Sequence, residues 1–194
     1  MIETRTYPAP TVNLKEVVRY AGGGDEELFS ECIKEAAPAF SYKVCFAVVD
    51  VSVRGNTVDL GFAKAESRNL AKNLEGCTKA VVFAATAGVG IDRLIGKYNL
   101  ISPSKAVCLQ ALGSERVESL CDEFEKDVKR ELGGEKMIFK PRFSPGYGDL
   151  SLEFQKDIFN ALDCSRKIGL TLNESLLMSP TKSVTAIIGI KNSV

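Results

Sequence analysis

Residues 142–150 read RFSPGYGDL. A fixed positive charge, Arg142, stands just ahead of Ser144, Pro145 and Gly146, and Tyr147 and Gly148 follow at once. Pro145 and Gly146 suit the two central positions of a type II turn, because proline presets the first φ and glycine accepts the positive φ of the second. Such a turn leaves backbone N–H and C=O groups in the open, and Gly146 has no side chain to block an approach. Arg142 offers a planar fork that matches a carboxylate with two parallel hydrogen bonds. Tyr147 adds a ring face and a hydroxyl. Two readings are open: a turn that meets a ligand with a carboxylate at one end and a flat ring at the other, or an ordinary strand-to-helix turn beside a surface arginine.

The flanks set the fold class. EKMIFKP (135–141) reads as a strand before the turn, and SLEFQKDIFNALDCSRKIG (151–169) as a helix after it. Upstream, residues 102–132 read as one long helix with Ser102 as cap and Pro103 at the first position. Val117, Leu120, Cys121, Phe124 and Val128 recur on it at helical spacing, and glycines 133 and 134 end it. Downstream, SLLMSP (175–180) and SVTAIIGI (183–190) close the chain as strands. Nearer the start, Asn13 and Asp25 cap two short helices, the first with Leu14, Val17 and Val18 inward and glycines 22–24 at its end. The second carries Leu28, Phe29, Cys32 and Ile33 on one side and stops at Pro38. YKVCFAVVDVSV (42–53) is a strand, RGN (54–56) turns it, and TVDLGFA (57–63) returns as a hairpin. ESRNLAKNLEG (66–76) is helical, KAVVFAAT (79–86) is a buried strand, and AGVGIDRLIGKY (87–98) turns into a helix. This mixed order, with a hairpin and a late strand pair, predicts an α+β fold: one domain over 1–194, a largely antiparallel twisted sheet flanked by helices.

Composition excludes several partners. The 194 residues carry 25 basic and 25 acidic side chains, which argues against nucleic acid and against an anionic membrane surface. No apolar run reaches the ~18 residues of a membrane span. The first ten residues, MIETRTYPAP, lack the apolar region of a secretory signal, so a cytoplasmic protein is expected. The six cysteines have no C-x-x-C spacing and sit in apolar runs, which points to buried thiols rather than zinc or iron–sulfur ligands. The chain has no histidine. That removes imidazole-based nucleophile triads, the H-E-x-x-H metal site and the usual general base near neutral pH.

Other motifs are weaker. TAGVGID (86–92) follows a strand and opens a helix, as a nucleotide-binding glycine loop would. It lacks the third glycine, and the acidic residue expected ~20 residues on falls near Gln110, inside a helix. The alternatives are a capping turn made for close packing, or a wall of a ligand cleft. Asp50 and Asp59 read as solvated strand ends, and DEFEKDVKRE (122–131) as the solvated face of its helix.

Arg142-x-x-x-Gly146-Tyr147 resembles the R-x-x-x-G-Y signature of the activation domain of cobalamin-dependent methionine synthase. KIGLTLNES (167–175) and MSPTKSVTAIIG (178–189) are similar to that family's closing segment, and ALGSERVESLCDEF (111–124) to its long helix. The resemblance is strongest over 111–189. It implies an S-adenosylmethionine site in a shallow groove, with Arg142 on the methionine carboxylate and the turn Ser144, Pro145, Gly146, Tyr147 and Gly148 supporting the adenosine part. It also implies a glutamate from the long helix, Glu118 by position, with Glu115 close by. It further implies reductive methylation of oxidised cobalamin: one electron from a flavodoxin- or ferredoxin-type donor, then methyl transfer from S-adenosylmethionine to reduced cobalt, which is itself the nucleophile and needs no general base. No residue of the chain is then a catalytic acid, base or metal ligand, and the cobalamin is carried by a partner. The sequence departs from the family at Leu150, where a cysteine is frequent, in stopping at Val194 before the family's late tyrosine, and in having no clear N-terminal acidic contact. Holding only the activation module, the chain is expected to work in trans on a separate corrinoid-binding methionine synthase protein. A non-catalytic interaction module that lost the ligand, and a free-standing small-molecule methyltransferase, are the alternatives.

Overall fold

A computed structural model describes residues 1–133 and 137–192. In chain order these form β1 (Glu3–Tyr7), α1 (Leu14–Ala21), α2 (Glu26–Ala36), a 3-10 turn (Ala37–Ala39), β2 (Tyr42–Asp50), β3 (Ser52–Arg54), β4 (Thr57–Asp59) and β5 (Lys64–Glu66). There follow α3 (Arg68–Asn73), β6 (Lys79–Thr86), α4 (Val89–Ile101), α5 (Pro103–Leu132), β7 (Met137–Phe139), α6 (Phe154–Leu162), α7 (Cys164–Ile168), β8 (Thr171–Leu172), β9 (Met178–Ser179) and β10 (Ser183–Asn192).

The main sheet has the order β1-β2-β6-β10-β7, and every neighbouring pair is antiparallel. The central strand β6 is buried from Ala80 onward on both faces, which is why KAVVFAAT is an unbroken apolar run rather than an alternating one. Its two faces serve two cores. Ala80, Val82 and Ala84 pack with Leu70, Phe154, Ile158 and Leu162 of α3 and α6. Val81, Phe83 and Ala85 pack with Leu120, Phe124 and Val128 of α5. Helices therefore cover both faces of the sheet, and the fold is α+β as the sequence predicts.

Helix α5 runs unbroken for 30 residues. Its second half lies on the sheet, while Ala106, Leu109 and Leu112 of its first half join Val17, Phe29 and Ile91 in a third core under α1, α2 and α4. Gly113 stands between the halves, where an added Cβ would meet the Lys182 side chain at 2.9 Å. Of the expected caps, Asn13 accepts from the Glu16 amide and Asp25 from the Glu27 amide, whereas Ser102 makes no side-chain capping hydrogen bond at the start of α5; Leu14, expected inward on α1, is exposed.

Three local boundaries need correction. The strand at 42–53 divides after Asp50, and β3 rather than β2 pairs with β4, in a separate sheet β3-β4-β5. The helix expected over 151–169 breaks at Asp163, whose φ of 51° ends α6 in a left-handed cap. The strand expected at 175–180 shortens to β9, which pairs with β8. At the other end of the long helix Gly133 is the C-cap. Gly134, and the Glu135 and Lys136 start of the expected strand, lie outside the described residues. No helix among the described residues is long and apolar enough to cross a membrane.

Candidate functional site

The turn at 142–150 has the predicted geometry. Tyr147 donates its amide to the Ser144 carbonyl (3.1 Å), Pro145 is buried, and Gly146 has φ +84°, as the second central position of a type II turn requires. A second turn closes behind it through Leu150 N–H to Tyr147 C=O (3.1 Å). Asp149 then fastens the loop to α3. It accepts from the amides of Arg68 (2.9 Å) and Asn69 (3.1 Å) and from the Ser67 hydroxyl. These hydrogen bonds, led by that from Ser67, hold its carboxyl below the usual range. Gly148 has φ +58°, a backbone conformation that favours glycine, and its Cα lies close to α3, where an added Cβ would have to displace the Asn69 side chain. Leu150, where the resembled family frequently has cysteine, is buried in the core with Phe143 and Phe154. Tyr147 packs edge-on against Phe143 at 5.4 Å and stays 69% exposed.

Just before the turn, Phe143 exchanges both backbone hydrogen bonds with Ile187 of β10 (2.9 Å each). That ladder fixes the direction in which Arg142 leaves the sheet. Its guanidinium reaches α5 and meets three carboxylates. One nitrogen donates to Glu118 (2.7 Å), and the other to Asp122 (2.9 Å) and Glu125 (2.8 Å). Positions 118, 122 and 125 share one face of a helix, being four and three residues apart. Burial alone would disfavour the arginine charge, but the surrounding anionic groups more than offset it and its pKa is raised. Asp122 and Glu125, read from the sequence as part of a solvated charge run, are thus partners of the one arginine that the turn presents. The neighbouring Cys121 thiol is fully buried in the core on the sheet side of α5, and burial pushes its pKa up.

Arg142 and Glu118 open onto a cleft of ≈ 250 Å³ between α5 and α1. Its far wall comes from Asn13, Glu16 and Tyr20, and its floor includes Glu115 and Ser119. A second opening of ≈ 560 Å³ runs along residues 10–15, with Asn13, Ser119 and Asp122 lining both. Four carboxylates and one guanidinium face the smaller cleft, a lining suited to a zwitterion that carries more positive than negative charge. The turn residues 144–148 line neither opening. Sequence reasoning missed the α1 wall. The only local signal was the spacing of Asn13, Glu16 and Tyr20, which puts all three on one helical face.

Glu115 and Glu118, alternatives by spacing, have different environments. Glu118 is paired with Arg142. Glu115 is buried and accepts from Arg116, Ser119 and the Asn13 amide. The 86–92 segment serves packing. An added Cβ at Gly88 would meet the Ser41 hydroxyl at 2.2 Å, and one at Gly90 the Ala39 carbonyl oxygen at 2.1 Å. Asp92 binds the amide and hydroxyl of Thr181, and Asp59 the amide of Gly61. All six cysteines are buried and free.

The family model for vitamin B12 dependent methionine synthase, activation domain, matches residues 69–193. Among solved structures, the MetH reactivation domain bound to AdoHcy superposes with a TM-score of 0.73 at 12% identity, covering 97% of this chain and 78% of that one. No curated protein matches the chain in sequence.

Proposed function

Because the chain belongs to the family of vitamin B12 dependent methionine synthase activation domains, we propose that it binds S-adenosylmethionine in the α1–α5 cleft and presents it to a corrinoid held by another protein. The observation that carries this reading is Arg142, aimed by the β10 ladder at the cleft mouth and surrounded by Glu118, Asp122 and Glu125. The amino-acid end of the ligand brings a carboxylate, an ammonium and a sulfonium. The guanidinium complements the first and the acidic lining the other two. Asp122, with 61% of its side chain exposed, is the partner that a ligand carboxylate displaces at least cost. The two joined openings have the size of ordinary small-ligand clefts.

When bound, S-adenosylmethionine supplies a methyl group on an already activated sulfur, and reduced cobalt is the acceptor. The chain's own residues bind, orient and balance charge, and none needs to accept a proton. With no histidine in its sequence, the chain offers cobalt no imidazole ligand. On this reading the corrinoid comes from a methionine synthase partner and the electron from a flavodoxin- or ferredoxin-type donor, in the cytoplasm. Action in trans is tested by gel filtration with a corrinoid-binding methionine synthase protein and ligand. Failure to co-elute, with ligand present, overturns it.

The ligand is tested by calorimetric titration of wild type and Arg142→Ala with S-adenosylmethionine. The variant is expected to lose about 1.5–3 kcal/mol, roughly ten- to 150-fold in affinity. Equal binding by the two removes Arg142 from the site. A second reading, an interaction module that keeps the fold without the ligand, is favoured by one observation: Arg142 already has carboxylate partners for both terminal nitrogens. No binding by wild type, alone or with the corrinoid partner, decides for it. A free-standing methyltransferase built on the 86–92 loop is disfavoured by the close packing at Gly88 and Gly90.

A further inference from the structure

Beneath the cleft, α5 carries an ion pair that is nearly removed from water, Glu115 and Arg116, with side chains 2% and 3% exposed. Charges so buried are retained only when their remaining hydrogen-bonding capacity is met. Here much of it is met by a different part of the chain. Arg116 donates to the carbonyls of Pro10 and Thr11, the latter at 2.8 Å. One Glu115 oxygen accepts from the Asn13 amide (3.0 Å), from Ser119 (2.7 Å) and from Arg116 (2.7 Å). The backbone groups so held belong to an extended segment that could not pair them within itself.

That segment leads directly into α1. Asn13 is its last residue and caps the helix through its side chain. Glu16 and Tyr20, the outer cleft wall, follow at three and seven residues, so their direction is set by where Asn13 is held. Elsewhere α1 is anchored by packing against α5, through Val17 with Val18 and Ala21 beside it. It has eight residues, Val17 is its one buried side chain, and it ends in glycines 22–24, all at positive φ. An eight-residue helix has little stability of its own and takes its position from its attachments.

We infer that the Glu115–Arg116 pair is a clasp that sets the gap between α1 and α5, with Arg116 a positioning residue that does not line the cleft. The clasp itself follows from the apo geometry, and only its consequence for affinity rests on the function proposed above. The decisive variants are Arg116→Met and the double variant Glu115→Gln with Arg116→Met. The single change strands a buried carboxylate and lowers global stability. The double change removes both charges and restores most of it.

Amide hydrogen exchange of the ligand-free proteins is the first readout. In the double variant, amides of residues 11–21 are expected to exchange on the order of tenfold faster or more, while those of β6 and β10 keep wild-type protection. Titration of Arg116→Met with S-adenosylmethionine is the second, because that variant leaves every cleft-lining residue, Glu115 included, in place; a similar loss of affinity is expected. Unchanged protection over 11–21 overturns the clasp whatever the ligand result. Faster exchange with unchanged affinity overturns its role in binding. If wild type does not bind S-adenosylmethionine, the exchange experiment still decides the clasp, and it is the proposed ligand that fails.

Discussion

One wall of the cleft stands on α5, a 30-residue helix whose opposite face is buried for most of its length. Phe124 in its second half lies against Phe46 and Phe83, with ring centroids 5.1 and 4.8 Å away. The other wall stands on α1, eight residues with one buried side chain. The backbone that carries the acidic residues of α5 is therefore part of the core, whereas Glu16 and Tyr20 stand on a short helix held by Val17, with Val18 and Ala21 beside it, and by hydrogen bonds at its start. The cleft thus has one half that carries the charge pattern on a core helix and another that stands on a short helix with a single fully buried side chain. Position is cheap to maintain where it comes from core packing, and needs a dedicated polar clasp where it does not.

The strongest test of this contrast is Phe124→Ala. Removing a fully buried ring between helix and sheet is expected to cost about 3–5 kcal/mol. The loss should appear as one cooperative shift of the denaturant midpoint that takes the sheet and α5 together. A much smaller loss, or separate transitions for α5 and the sheet, would break the idea that this wall is part of the core.

Val17→Ala is the matching change on the other side. It is expected to cost about 1–3 kcal/mol. Faster amide exchange should be confined to α1 and its cap, with a lower affinity for S-adenosylmethionine. If exchange rises equally across β6 and β10, α1 is as integral as α5 and the contrast fails.

The smallest expected effect sharpens the account of the turn. The Asp149 carboxyl is held below its ordinary range by Ser67 and by the amides at the start of α3. Its folded-state pKa lies below the unfolded one. Its stabilisation is therefore present above about pH 4 and lost as pH falls through the folded value. Asp149→Asn should flatten the acid limb of the stability curve below about pH 4 while leaving the neutral region nearly parallel to wild type. An unchanged acid limb in chemical denaturation from pH 2 to 5 would remove Asp149 from the list of groups that hold the loop.

Much of the architecture was legible because it depends on neighbours in sequence. Asn13, Asp25 and Pro103 mark helix starts by local capping and by a preset φ. The apolar run at 79–86 announces a strand covered on both faces. Pro145 and Gly146 specify their turn without help from anything distant. The failures share a cause. Whether β3 continues β2 or leaves it is decided by β5, the third strand of a separate small sheet. The break at Asp163 is a left-handed residue that helical periodicity does not register. Asp122 and Glu125 look like any solvated acids until the Arg142 side chain, seventeen or more residues away, is laid across them.

By itself the sequence determined most of the longer elements, the α+β class, the type II turn and the arginine that precedes it, because each follows from local stereochemistry or from side-chain periodicity. Only the tertiary structure decided that Arg142 meets three carboxylates, that the cleft's second wall comes from residues 13–20, and that Glu115 and Arg116 hold that wall in place. Those contacts join segments up to about a hundred residues apart. Their partners are chosen by which buried polar groups must be satisfied once the chain has packed, and that demand exists only in the folded molecule.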